Sequence, residues 1–567
     1  MNGWISRPAM CLVCRGVLAA ATLLLPGAGA RAQTAAPDKG NPTAVEPEGK
    51  ATAAIAQEGI AQEGIAAGGT PQGGIAQGFV FDDRNGDGRR DPADLPLAGV
   101  RVSNGLEIVR TDEQGRYQLP LGEEGQVFVI KPSGYRTRIG PSQLPQFYYL
   151  HRPSGSPQLR FAGVAPSGPL PQSIDFPLTP QQEPEVFRMI LFGDTQPRNL
   201  TEVDYIAHDV IADARRTEAA FGVTLGDIAF DDLNVIGPLT EAISLIGIPW
   251  YNVFGNHDAN FDATTRRYIN ETFERHFGPS YYSFDHGKVH FVVLDNIDYV
   301  PTPEGKFGFK GGFGEEQLNW LKRDLEAIPA EQMVVLLMHI PLNLTGDHQA
   351  LFRLIEQRPF ALSISAHQHY HQHLFLGEQQ GWKGKQPHHH IINVTVCGSW
   401  WSGVKDERGI PHATMSDGAP NGYSVMTFDG EQYSLEFIGA GNDRGRQMRI
   451  ELANEVPAEK TTRFHVNVFD GSSRSRVWFS LNGREWTECQ QVEESDPQFQ
   501  RLWEAEQQQQ PPPSPKLTKP TISSHLWAGE LPSGLTPGTH LLRVRTVDLA
   551  GKEYTDERSF RVVPTER

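Results

Sequence analysis

Five short segments of this chain carry metal-binding side chains, in one order: Gly193-Asp194-Thr195-Gln196, Gly226-Asp227, Gly255-Asn256-His257-Asp258, His339-Ile340-Pro341 and His367-Gln368-His369. Most of them follow a short apolar run. Asp, Asn and Gln offer oxygen and neutral His offers nitrogen, the donors that hold divalent cations. Together Asp194, Gln196, Asp227, Asn256, His339, His367 and His369 suit a two-metal hydrolytic site better than a structural zinc.

Such side chains need strand ends to position them. The apolar runs 187–192, 221–225, 250–254, 289–294, 333–338 and 360–365 read as buried strands. Between the first two, Asn199 can cap a helix with Glu202 three residues on, and its apolar face is Val203, Ile206, Val210 and Ala214. A second helix is predicted over 318–325. This rhythm, from about 185 to 441, predicts a layered α/β domain whose loops carry function.

The flanks read differently. Short alternating strands at 78–81, 99–103, 115–119 and 126–130, with a turn at Asn104-Gly105, predict a small β-sandwich over 77–178. Alternation at 464–468, 476–480 and 540–545 predicts a second β domain over 448–563, with a Gln/Pro loop at 507–513. The fold class is therefore α/β at the centre, flanked by two small all-β sandwich domains. Residues 33–76 are rich in Ala, Gly, Gln and Glu, echo Ile-Ala-Gln-Glu-Gly, and predict a tether.

Residues 1–32 read as a secretory signal: Arg7 and Arg15, an apolar stretch, then Ala30-Arg31-Ala32. The expectation is an exported protein, periplasmic or extracellular, with no transmembrane segment. Across 567 residues the net charge is −17, which argues against nucleic acid or an anionic membrane as partner. Oligomeric state is not readable. Outside the signal, Cys397 and Cys489 are left, either to pair or to stay as buried thiols.

The order of the five blocks resembles the calcineurin-like metallophosphoesterase superfamily: D-x-H, G-D, G-N-H-[DE], a lone His and G-H-x-H. Gln196 stands where many members have His, and Ala366 where Gly is usual. An Asp-x-Gln first block resembles one branch of the superfamily. The flanks, through the stretch from Phe81 to Gly88, Ser399-Trp400-Trp401-Ser402-Gly403 and Ser524-His525-Leu526-Trp527, resemble the companion domains of a bacterial secreted subgroup.

That resemblance implies roles. Asp194, Gln196 and His369 would hold one metal, Asn256, His339 and His367 the other, and Asp227 would bridge them. The cations would be manganese, iron or zinc. The implied activity is hydrolysis of a small phosphate mono- or diester by a hydroxide shared between the metals. His257 would be the general acid, oriented and kept protonated by Asp258. A retired enzyme that binds surfaces or carbohydrate is the alternative, and the ligand set also admits esters without phosphorus.

Other residues keep two readings. Asp231 and Asp232 are outer partners of the ligands or loop acids. Arg198 holds a phosphate oxygen or starts a helix. Trp400 and Trp401 would face opposite ways if extended, so that one lines the cleft for substrate. His371, His373 and the run 388–390 are read as structural or solvent-facing, not as ligands. In the first β module, Asp83, Asn85, Asp87, Asp91 and Asp94 fall at loop positions 1, 3, 5, 9 and 12, with Gly88 at 6, the spacing of a calcium loop.

Overall fold

The computed structural model describes residues 73–302 and 307–564. The expected signal and residues 33–72 of the expected tether lie outside them. The tether expectation is corrected at its end: the first strand, Gly74–Asp82, begins inside it. Ala76 is buried there, and Gly74 pairs with Leu121 across the sheet, so backbone pairing extends further than the apolar pattern suggests.

Two sheets form the centre. In the first, the strands run in the order Trp250–Asn252, Phe221–Thr224, Val186–Phe192, Gly422–Asp429, Gln432–Gly439. The first three are parallel and the last two antiparallel. In the second the order is Tyr282–His286, Val289–Val293, Met333–Leu337, Ala361–Ser365, His388–Ile392, Gln372–Leu376. Here Val289–Val293 through His388–Ile392 are parallel. Met333–Leu337 is buried at every position, which is why its sequence is a run rather than an alternation. Each such side chain contributes about 1.5–3 kcal/mol by leaving water.

Helices cover the sheets. Leu200–Ile206 starts at Asn199, whose side chain accepts from the Glu202 amide. Val203, Ile206, Val210 and Ala214 all pack into the core. Glu315–Glu326 buries Trp320, Leu321 and Leu325. Among the described residues no helix is long and apolar enough to cross a membrane.

The flanking regions are mostly β. In the first, Gly74–Asp82 pairs with Arg116–Leu121, Leu95–Pro96 and Phe176–Pro180, and a second sheet holds Arg101–Ser103 and Gly125–Val129. In the last, Thr462–Val468 and Leu526–Leu531 face Arg476–Leu481, Gly538–Val547 and Glu553–Val563 over a core of Phe464, Val466, Leu542 and Phe560. In the chain between Gln490–Gln491 and Leu526–Leu531 lies a helix the sequence reading missed, Pro497–Gln507, capped by Asp496.

Buried charge joins the first flank to the centre. Arg101 reaches Asp285 at 2.7 Å and Asp324 at 2.9 Å. His290 lies between the same two carboxylates, at 2.7 and 2.9 Å. Burial alone would lower the His290 pKa, but Asp324 and then Asp285 override it and hold it at about 8 rather than 6.5. The folded chain thus grips this proton more tightly than the unfolded chain. The resulting stability, about 2 kcal/mol, is complete below pH 6.5 and is lost as pH rises through 8. The urea midpoint is expected to fall between pH 6 and pH 9, and His290→Gln to flatten that fall. An unchanged slope in the variant would reject the assignment.

Candidate metal centre

Every proposed ligand sits just past the C-terminal end of a parallel strand. Asp194 and Gln196 follow Val186–Phe192, Asp227 follows Phe221–Thr224, and Asn256 follows Trp250–Asn252. His339 follows Met333–Leu337, and His367 and His369 follow Ala361–Ser365. Loops at the carboxyl ends of both sheets therefore converge on one place.

The loops are tight. Gln196, Asp227, His367 and His369 all have positive φ, a strained choice for residues other than Gly that clusters at functional sites. Two glycines make room. A Cβ on Gly255 would lie 2.0 Å from the Asp227 amide nitrogen, and one on Gly226, itself at φ +88°, would lie 2.6 Å from His339 Nδ1.

The contacts define a donor cage. Asp227, His339 and His367 present ligand atoms within 4.8 Å of one another. His339 Nδ1 is 2.8 Å from the Leu225 carbonyl, so it carries the hydrogen and donates. Its Nε2 then faces Asp227 Oδ2 at 3.2 Å, Asn256 Oδ1 at 3.1 Å and His367 Nδ1 at 3.1 Å. In the same way His369 Nδ1 donates to the Gly398 carbonyl, and its Nε2 lies 3.1 Å from Asp194 Oδ2. Such carbonyl tethers fix the tautomer of metal-binding histidines. Gln196 Nε2 donates to Asp227 Oδ2 at 2.9 Å.

The donor set fits cations on two observations. Asp194 Oδ2 is buried with no hydrogen-bond partner. His339 Nε2 points at a group of acceptors, which only positive charge can satisfy. Burial would lower the His339 pKa, but Asp227 and then Asp194 push it up to about 9. The imidazole proton marks where positive charge belongs. His367, by contrast, is held down at about 4 by burial and by neighbouring His339.

His257 stands at the rim. Its backbone N–H donates to Asp227 Oδ1 at 2.8 Å, and its ring is partly exposed. The ring stacks on Phe230 at 4.7 Å, and Nδ1 lies 2.7 Å from Asp231 Oδ1. This corrects the orienting role expected of Asp258. The Asp258 carboxylate accepts from the Ala229 and Gly255 amides, both at 3.0 Å, and so braces the loop. The residue that holds the ring is Asp231, one of the two acids whose role the sequence left open. Asp231→Asn, which keeps shape and removes the charge that raises the His257 pKa, is expected to cut kcat/KM by roughly 10–100-fold and to move the alkaline limb of the pH–rate profile to lower pH. A wild-type profile would show that Asp231 does not act on His257.

The tryptophans also need correction. Both have φ 53°, a left-handed turn rather than an extended strand. Trp401 is fully buried, packs on Tyr205 and donates to the Thr195 carbonyl, so it does not meet substrate. Trp400 lies against His369, with centroids 4.0 Å apart. Arg198 is committed to the protein: it donates to the Trp400 carbonyl, pairs with Glu202 and lies over Phe230. Phe309, exposed on the hairpin strand Phe307–Gly311 with its ring centroid 6.1 Å from that of His367, gave no sequence signal.

Cys397 and Cys489 are both buried and free, and Cys397 Sγ lies 3.6 Å from Gln196 Oε1. In the acidic loop, Asp83 takes the Gly86 and Gly88 amides, Asp87 the Arg89 amide, Asp91 the Ala93 amide and the Asn85 side chain, and Asp94 the Asp91 amide. Asp94 Oδ1 is buried without a partner.

Comparison with known proteins agrees with this geometry. Residues 187–371 match the model of the calcineurin-like phosphoesterases, 84–163 that of their N-terminal region and 390–554 that of their C-terminal region. No curated protein matches the chain. Among solved structures, purple acid phosphatase PPD1 from yellow lupin (Lupinus luteus) seeds is similar at 12% identity and TM-score 0.34, over 64% of this chain and 66% of that one. The chain thus spans just under two thirds of that phosphatase. Superoxide reductase (neelaredoxin) from Ignicoccus hospitalis is similar at 11% identity and TM-score 0.13, over 21% of this chain and 81% of that one. The two structural likenesses are remote, and the assignment rests on the three consecutive model matches. The chain belongs to the calcineurin-like phosphoesterases, a family of metal-dependent phosphoester hydrolases, and carries both companion regions of that family.

Proposed function

We propose that this protein is an exported hydrolase of small phosphate esters, with His257 as the acid. The observation that carries the reading is the pair of imidazoles, His339 and His369, each tied to a carbonyl by Nδ1 and turned by Nε2 toward an aspartate. Asp194, Gln196 and His369 would hold one divalent ion and Asn256, His339 and His367 the other, with Asp227 between them. When bound, ions of the manganese, iron or zinc class supply an activated water and neutralise charge building at phosphorus.

The chain's own residues do the rest. Asp227 is fixed by the Gln196 side chain and the His257 amide, so its oxygens cannot swing away. Asp231 holds one ring nitrogen of His257 and leaves the other for the substrate. As a hydroxide oxygen bonds to phosphorus and the ester P–O bond breaks, the His257 proton passes to the departing oxygen. Trp400 and Phe309 flank the cleft and suit an apolar leaving group.

The test is hydrolysis of a chromogenic phosphate monoester and diester by the full chain with added manganese or zinc. Turnover of either supports the reading, and their rate ratio gives the preference. No turnover of either by metal-loaded protein would reject it. Export rests on the basic start, the apolar stretch and Ala30-Arg31-Ala32. An intact N-terminus on exported protein, read by mass spectrometry, would reject a cleaved signal. Calcium in the acidic loop rests on its spacing and on the unpartnered Asp94 oxygen. Calcium is expected to raise the Tm of the full chain and to lose that effect in Asp87→Asn; no calcium response in the wild type would end the idea.

A further inference from the structure

A second cluster of donors lies away from the catalytic cage. His371 and His373 follow the last ligand block, and Asp470 comes from the turn after Thr462–Val468 in the C-terminal β region. His371 Nε2 lies 2.9 Å and His373 Nε2 2.7 Å from the same oxygen, Asp470 Oδ1. The donor atoms of all three residues fall within 4.8 Å of one another. Both imidazoles are buried and the carboxylate nearly so.

We propose that His371, His373 and Asp470 form a third metal site, for a zinc-class divalent ion, that fastens the C-terminal β region to the catalytic domain. Two imidazole nitrogens and one carboxylate oxygen are a zinc-type donor set. The surroundings are built as they are around metal ligands. His373 Nδ1 meets His389 Nε2 at 2.9 Å, and His389 Nδ1 meets the Tyr433 hydroxyl at 2.7 Å. This relay fixes the His373 ring and directs Nε2 at Asp470. The rings of His373, His389 and Tyr433 stack in sequence, which packs the His373 ring on one face.

There is also space. A cavity of about 20 Å³ borders His373, His389 and Asp470, on the side away from His371, and is lined also by Asp548 and Leu549. That is room for one small ion or one water. His371 Nδ1, the ring nitrogen turned away from Asp470, is buried without a partner. The competing reading is a hydrogen-bond hub, with Asp470 accepting from two neutral histidines.

Two measurements on the full chain separate the readings. Crystals grown with zinc chloride are expected to show an anomalous peak about 2.0–2.2 Å from both imidazole nitrogens and an Asp470 oxygen. No peak there, in crystals whose Asp227 centre is loaded, would overturn the proposal. The second uses Asp227→Asn, which disables the catalytic pair. Metal-stripped protein of this background is expected still to gain a few degrees of Tm on adding zinc chloride, and to lose that gain when Asp470→Asn is added. A loss of Tm from Asp470→Asn that is equal with and without zinc would instead establish the hub. If Asp470→Asn does not fold, the anomalous map of the wild type decides alone.

Discussion

Asp227→Asn is expected to remove phosphoesterase activity by roughly 10³-fold or more and to lower the bound metal content. The carboxylate is buried at the meeting point of both halves of the cage. It takes the His257 amide on Oδ1, the Gln196 side chain on Oδ2, and lies 3.2 Å from His339 Nε2. Asn has nearly the same shape, so the loop should hold. Its amide offers one oxygen and no charge, which leaves the cations of the cage under-neutralised. The measurement is metal content by mass spectrometry beside kcat/KM on a chromogenic ester. A variant with full metal content and wild-type turnover would show that Asp227 does not sit between the ions.

The second large effect is expected at the rim. His257→Ala should lower kcat by about 10²–10⁴-fold and leave metal content unchanged, because the ring touches Asp231 and Phe230 and is not part of the cage. The loss should shrink for esters whose leaving group is already a weak base, since these need no proton. That dependence separates an acid from a residue that merely packs. Equal losses for good and poor leaving groups would remove His257 from proton transfer.

The strands that carry the ligands were legible in the sequence because they are buried on both faces. Runs such as Met333–Leu337 have no alternation to misread. The ligand blocks were legible for a related reason: each must lie just past such a run. What the sequence hid is what only tertiary contact decides. Asp258 is adjacent to His257, yet a tight turn directs its carboxylate into backbone amides, and Asp231 from another loop takes the ring. Trp400 and Trp401 looked like alternating strand residues, and their left-handed backbone breaks that rule. The edge strand Tyr282–His286 was missed since Ser283, Asp285 and His286 make its sequence look polar, while in the fold every position of it is buried. Asp470 gave no hint at all, because its partners lie far away in the chain.

The buried arginine contacts have a consequence for how such a protein is taken apart. Arg101 neutralises Asp285 and Asp324, and Arg152 does the same for Glu271 and Glu274, from a region that precedes the catalytic strands. Cutting the catalytic portion free would leave Asp285 and Asp324 with His290 alone and would take Arg152 away from Glu271 and Glu274. The neighbouring piece is thus less a passenger than a missing wall, and swapping it between relatives should fail unless the arginines travel with it.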